Sequence, residues 1–302
     1  MPRALLIANP VASKVDEDVI AVIRSECAAA GWSLEVAATL RAGDARRHAQ
    51  RAVAERFDRV ICYGGDGTAM QAAAGLVGTD VPLGLVPGGT GNLLAGNLRL
   101  PRTPLQAARV AVRGRGRRID LGRVPRDDGD HYFAVSSGAG WDALVMAKTS
   151  TEAKHRWGIG AYWRTAVREL ARVRNVPHTV TVDGQAIDSE AAMVMVANCG
   201  EIIPPWLRFH RDIAMDDGVL DVVIVPANRW WQGLRAAWQM WSGIGLANGG
   251  VRFVRGREVE VRPTVPQPVQ LDGEPMGVTP LRATIVPGAL EVVVAGDLSQ
   301  GG

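Results

Sequence analysis

The sequence predicts an α/β domain built on a parallel sheet, followed by a second domain that is mainly antiparallel β. Two observations predict this order. Short apolar runs alternate with helical segments over the first ~100 residues, a pattern typical of a parallel sheet wound by right-handed crossovers. Beyond residue 118, strand-like runs dominate. Since 302 residues suffice for about two domains, we place the α/β domain over 1–118 and the β-rich domain over 119–291.

The first domain alternates strand and helix from its start, and turn residues separate the elements. Asn9-Pro10 ends the first apolar run, and Gly31 ends the first helix. The predicted strands are Ala4–Ala8, Leu34–Ala37, Arg59–Tyr63 and Leu83–Val86, and the predicted helices are Asp16–Ala30, Asp44–Phe57, Thr68–Leu76 and a short one from Asn92. In sheets of this kind ligands bind beyond the carboxyl ends of the strands, which is where two glycine-rich turns fall.

The second domain follows a basic, glycine-spaced stretch, Arg113 to Arg118, which we interpret as a solvated linker or as a contact for anionic headgroups. Two helices, His155–Val173 and Arg229–Leu246, interrupt the strands. The predicted strands are Ile119–Val124, Tyr132–Ser136, Thr179–Val182, Ala191–Ala197, Val219–Val225, Glu258–Val261, Val269–Leu271, Leu281–Val286 and Leu290–Val294.

Composition excludes several classes of protein. With 47% hydrophobic and 22% charged residues the chain is neither disordered nor a disulfide-stapled mini-fold, and no apolar run reaches membrane-spanning length. Three widely spaced cysteines fit a reducing compartment. A net charge of +3, without a basic run interleaved with aromatic residues, gives no support for nucleic acid as a partner. We therefore expect a cytoplasmic protein that does not bind nucleic acid.

The first glycine turn is Gly64-Gly65-Asp66-Gly67-Thr68, which directly follows a buried strand and opens a helix. Without Cβ atoms, the backbone N–H groups of such a turn can close on phosphate oxygens, and the helix N-terminus adds partial positive charge. The carboxylate of Asp66 could hold a magnesium ion or accept a proton. The turn is also compatible with an ordinary strand-to-helix connection in which Asp66 is only a cap.

The second glycine turn is Pro87-Gly88-Gly89-Thr90-Gly91-Asn92, one strand–helix unit later. We expect it beside the first turn, on the same edge of the sheet. Two neighbouring backbone cradles suit a polyphosphate, so together they predict a nucleotide site.

With Asn9-Pro10 after the first strand, the two turns GGDGT at 64–68 and PGGTGN at 87–92 make the chain resemble the diacylglycerol-kinase-type lipid kinase family. The likeness continues through Thr39 with Gly43-Asp44-Ala45, through Ile119 to Gly122, through Asp216 to Asp221, and through Leu271-Asp272-Gly273-Glu274. It therefore covers nearly the whole chain. The GGDG element alone is shared with NAD kinases and phosphofructokinases, and the full ordered set is more specific.

The resemblance implies an ATP site in the first domain, with Asp66 engaging a magnesium–phosphate assembly. It also implies a phosphofructokinase-like α/β domain followed by a β-sandwich, with the tail at about 292–302 returning to the first domain. The residues implied to bind the nucleotide are Asn9, Ser13, Lys14, Thr39, Gly64, Gly65, Asp66, Gly67, Thr68, Gly89, Thr90 and Asn92.

Two further roles are implied for the second domain. Asp272 or Glu274 would act as the base for a lipid hydroxyl, carried across the cleft, and Asp217 with the carbonyl of Val219 matches the family's structural metal site. From the residues alone, Leu271-Asp272-Gly273-Glu274 is also a hairpin turn, since Asp-Gly between apolar runs is a strong hairpin signal. Both interpretations are compatible, because a rigid hairpin tip is a good place for a base.

The chain departs from the family pattern at two places. Asn-Glu often follows the first glycine turn, and here Met70 and Gln71 stand instead, which affects details of nucleotide or metal contact. The loop Gly200–Phe209 is bulkier than usual, which indicates a different lipid pocket or ordinary loop packing. Separately, tryptophans at helical spacing in Arg229–Leu246 are typical of a membrane interface, and also of a core or a homodimer face.

The sequence therefore predicts an ATP- and Mg²⁺-dependent kinase that phosphorylates a lipid hydroxyl, diacylglycerol-like or related, and docks transiently on the membrane. Phosphoryl transfer needs positioned phosphates, charge stabilisation and a carboxylate to take the hydroxyl proton. Two alternatives stay open. One is NAD-kinase-like phosphorylation of a soluble acceptor, and the other is a nucleotide-responsive membrane-binding protein without turnover, for which Gln71 is the main support.

Overall fold

The computed structural model describes residues 1–10, 16–148, 164–165, 168–169, 173–203, 207–208, 213–227, 232 and 251–296. The chain forms two compact units, one of Met1–Ile119 with Gly288–Gly302 and one of Asp120–Pro287. These limits differ from the predicted domain boundaries by one residue at the first crossing and four at the second. Two strands, Arg115–Arg126 and Leu281–Val294, each begin in one unit and end in the other.

The first unit is an α/β sheet in which strands and helices alternate along the chain, as the apolar pattern requires. The elements are β1 (Arg3–Ala8), α1 (Glu17–Ala29), β2 (Ser33–Ala38), α2 (Asp44–Ala54), β3 (Arg59–Gly64), α3 (Asp66–Leu76), β4 (Leu83–Pro87), α4 (Leu93–Asn97), α5 (Pro104–Arg113), the start of β5 (Arg115–Arg126) and the end of β18 (Leu281–Val294). The parallel strands have the order β2-β1-β3-β4-β18.

Helices pack against this sheet in two groups. α1 and α5 contact each other and share an apolar cluster with β1, β3 and β4 that includes Ile23, Leu6 and Ala108. α2 and α3 form the second pair, and their backbones approach so closely that a Cβ on Gly75 would lie 2.6 Å from the carbonyl oxygen of Arg46. Because helices cover the strands of this sheet, β1, β3 and β4 are buried and their sequences are near-continuous apolar runs.

The second unit consists of antiparallel strands. The elements are β6 (Gly129–Phe133), β7 (Ser136–Gly140), α6 (Trp141–Lys148), β8 (Val176–Val182), β9 (Gln185–Ala191), β10 (Met193–Ala197), β11 (Glu201–Ile203), β12 (Leu207–Arg208), β13 (Leu220–Val225), β14 (Arg252–Gly256), β15 (Glu258–Pro263), β16 (Pro268–Leu271) and β17 (Glu274–Val278). One sheet has the order β14-β13-β10-β7-β16-β17. In the other, β15 pairs with β18, β8 pairs with β15, and β9 pairs with β8.

A buried apolar core joins the two sheets of this unit. Val194 and Leu271 from the six-stranded sheet share a buried cluster with Val180, Val261 and Leu281 from the other strands. Alternate residues of each strand enter this core, as in a sandwich of two packed sheets. The predicted fold class, an α/β domain followed by a β-sandwich, is therefore confirmed.

Four sequence predictions about elements are wrong. The predicted strand Tyr132–Ser136 spans a break, because β6 ends at Phe133 and β7 begins at Ser136. The basic stretch Arg113–Arg118 is not a linker, because α5 ends at Arg113 and β5 begins at Arg115, where Arg118 donates to the carbonyl of Gly288 at 3.1 Å. Leu281–Val286 and Leu290–Val294 are one strand, β18, which continues through Pro287 and Gly288. The predicted single strand Ala191–Ala197 is two, because β9 ends at Ala191 and β10 begins at Met193.

Several predictions concern segments that lie wholly or partly outside the described part of the chain. Outside the described residues lie Ser13 and Lys14, all of the tryptophan-bearing segment Arg229–Leu246 except residue 232, most of His155–Val173, and part of the loop Gly200–Phe209. Among the helices of the described part of the chain, none has both the length and the apolar character needed to cross a membrane.

Candidate active site

The two glycine turns lie side by side in the first unit. β3 ends at Gly64 and β4 ends at Pro87, and these two residues are partners in the parallel ladder. The backbone N–H of Gly88 donates to the carbonyl of Gly64 at 2.8 Å. The expectation that the turns meet at one edge of the sheet is therefore confirmed.

Backbone contact between the turns requires glycine. A Cβ on Gly89 would lie 2.6 Å from the Cα of Gly65, and a Cβ on Gly88 would lie 3.2 Å from the Cα of Gly64. Any side chain at Gly89 therefore forces the two turns apart. Glycine at these positions thus permits the close contact between the turns and also leaves their N–H groups accessible.

Asp66 is the side chain that joins the two turns. It is the first residue of α3, and its Oδ1 accepts a hydrogen bond from the backbone N–H of Leu93 at 2.6 Å. A Cβ on Gly91 would lie 2.7 Å from the Oδ2 of Asp66. The carboxylate is therefore held between the N-terminus of α3 and the second turn.

Asn92 shapes the second turn rather than projecting from it. Its backbone has φ of +50°, and its side chain accepts from the N–H of Gly89 at 3.0 Å and donates to the carbonyl of Gly89 at 2.7 Å. Thr90, between them, is exposed. The residues predicted to complete the phosphate side are thus brought together with the first turn.

A cavity of about 180 Å³ lies next to the first turn. Two of the predicted nucleotide residues, Asn9 and Thr39, line it with Thr68, and the Asn9 side chain donates to the Thr68 hydroxyl at 3.0 Å. Gln71, which replaces the acid expected from the family, also lines the cavity, and its Oε1 accepts from the N–H of Gly43 at 2.9 Å. That amide therefore fixes the start of α2.

Asp272 lies in the second unit, at the tip of the hairpin between β16 and β17. Leu271 and Glu274 are paired, and Asp272 and Gly273 have φ of +46° and +85°, as a two-residue hairpin turn with left-handed backbone requires. The N–H of Asp272 donates to the carbonyl of Ser136 at 2.9 Å. The local hairpin signal was therefore correct.

The side chain of Asp272 points inward, where three backbone donors hold it. The N–H groups of Ala134, Val135 and Ser136 donate to its carboxylate at 2.7, 2.9 and 2.9 Å, and the residue is only 8% exposed. Burial raises the pKa of Asp272 to about 6, although the three N–H donors oppose the rise. Glu274 is exposed. Of the two predicted bases, Asp272 is the one in a fixed, perturbed environment.

The predicted metal residues lie on an exposed loop of the same unit. The carboxylate of Asp217 accepts from the N–H of Val219 at 3.2 Å, and the buried Asp120 accepts from the N–H of Gly218 at 2.7 Å. Asn198 donates to the carbonyls of Asp120 and Ala134, both at 2.9 Å. Within the described ranges, no group of three or more His, Cys, Asp or Glu side chains is arranged to hold a metal. A metal at Asp217 and Val219 stays a prediction.

Two polar residues near Asp272 were missed from the sequence. Asp142, in the first turn of α6, accepts from the side chain of Gln270 at 3.2 Å, and burial raises its pKa to about 6. Gln270 is 2% exposed. These residues are more than 120 positions apart and belong to no motif, so only the fold brings them together.

The α/β unit with its paired glycine turns, and the β-sandwich with its buried carboxyl, are the architecture of a kinase. Residues 3–124 match the family model for the diacylglycerol kinase catalytic domain, and residues 134–294 match the YegS C-terminal NAD kinase beta sandwich-like domain. The chain belongs to the diacylglycerol kinase catalytic family and is a lipid kinase.

Individual relatives agree with this assignment. A Pseudomonas fluorescens protein named "Probable lipid kinase YegS-like" is 33% identical over 98% of this chain and 96% of its own. A diacylglycerol kinase of Mycobacterium tuberculosis is 32% identical over 83% of this chain and 82% of its own. Among solved structures, a "putative diacylglycerol kinase from Bacillus anthracis str. Sterne" superposes with a TM-score of 0.82 at 26% identity, covering 97% of this chain and 95% of that one.

Proposed function

We propose that the chain transfers the γ-phosphate of ATP, with Mg²⁺, to the hydroxyl of a diacylglycerol-like lipid. The observation that carries the proposal is the backbone contact between the two glycine turns, with Asp66 fixed between them. The names of the relatives support the substrate class: two of those cited above are described as diacylglycerol kinases and one as a lipid kinase.

The first turn fits the phosphates of a nucleotide. α3 begins at Asp66, and its first intrahelical bond runs from the N–H of Ala69 to the carbonyl of Gly65, so the preceding N–H groups lie at the open end of the helix. A Cβ on Gly67 would meet nothing within 4 Å, which leaves space above the turn. Gly64, Gly65, Gly67, Thr68 and Gly89 would hold the phosphates, and Asn9 and Thr39 the remainder of the nucleotide.

The residues present also fit magnesium carried in with the nucleotide. Mg²⁺ usually binds through one or two carboxylates together with substrate phosphates and waters, rather than in an all-protein cage. Asp66 supplies one such carboxylate beside the turn. When bound there, the ion would offset charge on the transferring phosphoryl group. Asp217 and Val219 remain our proposed residues for a second, structural metal ion.

Asp272 is the proposed base. A carboxylate accepts the proton of the lipid hydroxyl as its oxygen attacks the phosphorus, and a base works best when its pKa lies near the working pH. The raised pKa of Asp272 meets that condition, and its three backbone N–H donors fix the direction of its lone pairs. Glu274, two residues on, is exposed and is the second candidate.

The lipid substrate requires the protein to reach a membrane from the cytoplasm, and we propose that it does so as a peripheral protein. Arg115, Arg117 and Arg118 form an exposed basic start to β5, in which Arg118 is also paired with the carboxylates of Asp80 and Glu291. Arginine side chains near an anionic surface each contribute about 1 kcal/mol of attraction. Cosedimentation with phosphatidylglycerol vesicles but not phosphatidylcholine vesicles, weakened by added salt, is the expected result, and equal binding to both would contradict it.

The proposed reaction is tested with labelled ATP and a total lipid extract. Label should enter a chloroform-soluble product only with Mg²⁺ present. Asp66→Asn, which keeps an acceptor for the N–H of Leu93, and Asp272→Asn should each lower kcat by about 100-fold or more, because each removes a charge used in the transition state.

The matched control is Asp127→Asn, an exposed carboxylate in the turn before β6. This variant should keep wild-type turnover and thermal stability. Label that enters NAD rather than lipid would favour a soluble acceptor. Wild-type activity in both Asp66→Asn and Asp272→Asn would refute the proposed roles.

A further inference from the structure

A buried acid–amide pair lies behind the hairpin that carries Asp272, and the proposed reaction does not use it. The Nε2 of Gln270, on β16, donates to the Oδ2 of Asp142, on α6, at 3.2 Å. Within the described residues the other carboxylate oxygen of Asp142 is buried and makes no close hydrogen bond, although the backbone N–H groups of Ala143 and Asp142 at the start of α6 partly offset the rise in pKa that burial causes. Burying a carboxylate with incomplete hydrogen bonding costs free energy. A carboxylate kept in the core at that cost is a candidate for a functional role.

The strand under the pair is built to admit the carboxylate. Gly138 on β7 is the ladder partner of Gln270, and a Cβ at Gly138 would collide with the carboxyl group of Asp142. The carboxylate therefore occupies the place where any other residue on β7 would put its side chain. The strand therefore requires glycine at this position to admit the side chain from α6.

Gln270 connects this carboxylate to the turn of the proposed base. Its Oε1 accepts from the N–H of Gly273 at 2.7 Å, and its backbone carbonyl accepts from the Ser137 hydroxyl at 3.0 Å. An amide has one donor end and one acceptor end. Because a carboxylate oxygen is an acceptor, Asp142 draws the NH₂ group of Gln270 to itself, and this leaves the oxygen facing Gly273.

We propose that Asp142 and Gln270 are positioning residues for Asp272: Asp142 fixes which way the Gln270 amide faces, and the amide then holds the Asp272–Gly273 turn in its left-handed conformation. This proposal rests on Asp272 being the base of the proposed reaction. Neither residue needs to contact the lipid or the nucleotide. Their effect is on the placement of the Asp272 carboxylate, and small misplacements of a catalytic group cost up to about 100-fold in rate.

An exchange of the two functional groups tests the pair. In Gln270→Glu, two carboxyl groups face each other. Where both are ionised the hydrogen bond is lost and the turn shifts, whereas a proton held between them preserves the bond, so kcat is measured over a range of pH. Adding Asp142→Asn restores complementarity, because the Asn NH₂ donates to the new Glu while the second Glu oxygen still accepts from Gly273. Asp142→Asn alone keeps an acceptor for Gln270. The control is Asp127→Asn with Gln185→Glu, the same changes at exposed positions of the same unit.

The expected result is a fall in kcat of at least about tenfold in Gln270→Glu with unchanged KM for ATP, since the nucleotide residues lie in the other unit. The double variant Asp142→Asn/Gln270→Glu should recover to within about threefold of wild type, because restored complementarity returns the carboxylate to its place. A pair that only stabilises the core would change the melting temperature and leave kcat unaltered. Wild-type kcat in both folded Gln270→Glu and folded Gln270→Met, or no recovery in the double variant at a pH at which Gln270→Glu is impaired, overturns the proposal.

Gln270→Met supplies the comparison if Gln270→Glu is too unstable to purify. Methionine has the length of glutamine and tolerates burial, but it offers neither hydrogen bond. The Gln270→Met variant should have a lowered kcat, whereas the double variant Asp142→Asn/Gln270→Glu should remain active. Wild-type kcat in Gln270→Met overturns the proposal. Asp272→Asn in the same assay separates the two levels: full activity there refutes the proposed base, whereas an inactive Asp272→Asn with unaffected pair variants refutes only the positioning role.

Discussion

Gly89→Ala is the most direct perturbation of the paired turns. The added Cβ would lie 2.6 Å from the Cα of Gly65, and ordinary van der Waals contact begins at 3.4 Å, so the two turns must separate by about 0.8 Å. The neighbouring atom is backbone and cannot rotate away. Overpacking of this kind costs about 1–3 kcal/mol, partly offset by the about 0.4–1 kcal/mol that a Gly→Ala change gains from the unfolded chain.

The effect on activity should exceed the effect on stability. Separating the turns by most of an ångström moves Asp66 relative to the second turn, and misplacement by about 1 Å costs up to about 100-fold. We expect the melting temperature to fall by a few degrees, at about 2–4 °C per kcal/mol for a unit of this size, and kcat/KM for ATP to fall by about 100-fold.

Both quantities are measured on the full chain, by thermal unfolding and by transfer of label to lipid. Gly296→Ala is the matched control, since its Cβ would meet nothing within 4 Å and the residue belongs to the same unit. That variant should match the wild type. A Gly89→Ala protein with wild-type melting temperature and wild-type kcat/KM would show that close contact between the turns is not needed.

Three further predictions follow from the second unit. Asp272 must be ionised to accept a proton, so kcat should fall as pH decreases through about 6, and a profile flat down to pH 5 would contradict its role as base. The pKa of Asp142 is raised from 3.8 to about 6, because burial disfavours its ionised form. The folded state therefore loses stability as pH rises from 4 through 6. Because Asn does not ionise, Asp142→Asn should gain up to roughly 3 kcal/mol relative to wild type between pH 4 and pH 8 in urea unfolding, and parallel curves would refute this. Gly138→Ala should displace the Asp142 carboxyl and lower both stability, by about 1–3 kcal/mol, and kcat, whereas Gly129→Ala, in an open turn where only its φ of +120° is strained, should lower stability alone.

Local patterns predicted the first unit well because its signals are local. Apolar runs bounded by turn residues predicted β1, β3 and β4, and the parallel arrangement of β3 and β4 then required the two glycine turns to meet at one edge. The side chains at that edge belong to two short motifs, so their positions could be inferred from residues that are close in sequence. Asp66 and Asn92 were for that reason predicted to lie together before any tertiary contact was known.

The second unit was predicted less completely, because its signals depend on distant partners. β7 (Ser136–Gly140) consists of small residues without β-branched character, and its strand conformation comes from pairing on both sides. β5 starts in an arginine- and glycine-rich stretch that reads as a linker until it meets β18. The burial of Asp272 and the Asp142–Gln270 pair depend on Gly138, and no spacing in the sequence connects these positions.

The order in which the polypeptide is made has a consequence for the first unit. Its sheet receives the end of β18, where Val292 pairs with Leu83 and the carbonyl of Ala289 accepts from the N–H of Gly78. All of Asp120–Pro287 must leave the ribosome before that strand exists. Until then the edge of β4 that pairs with β18 is open and apolar, so a nascent chain halted before Gly288 should be recognised by chaperones or proteases.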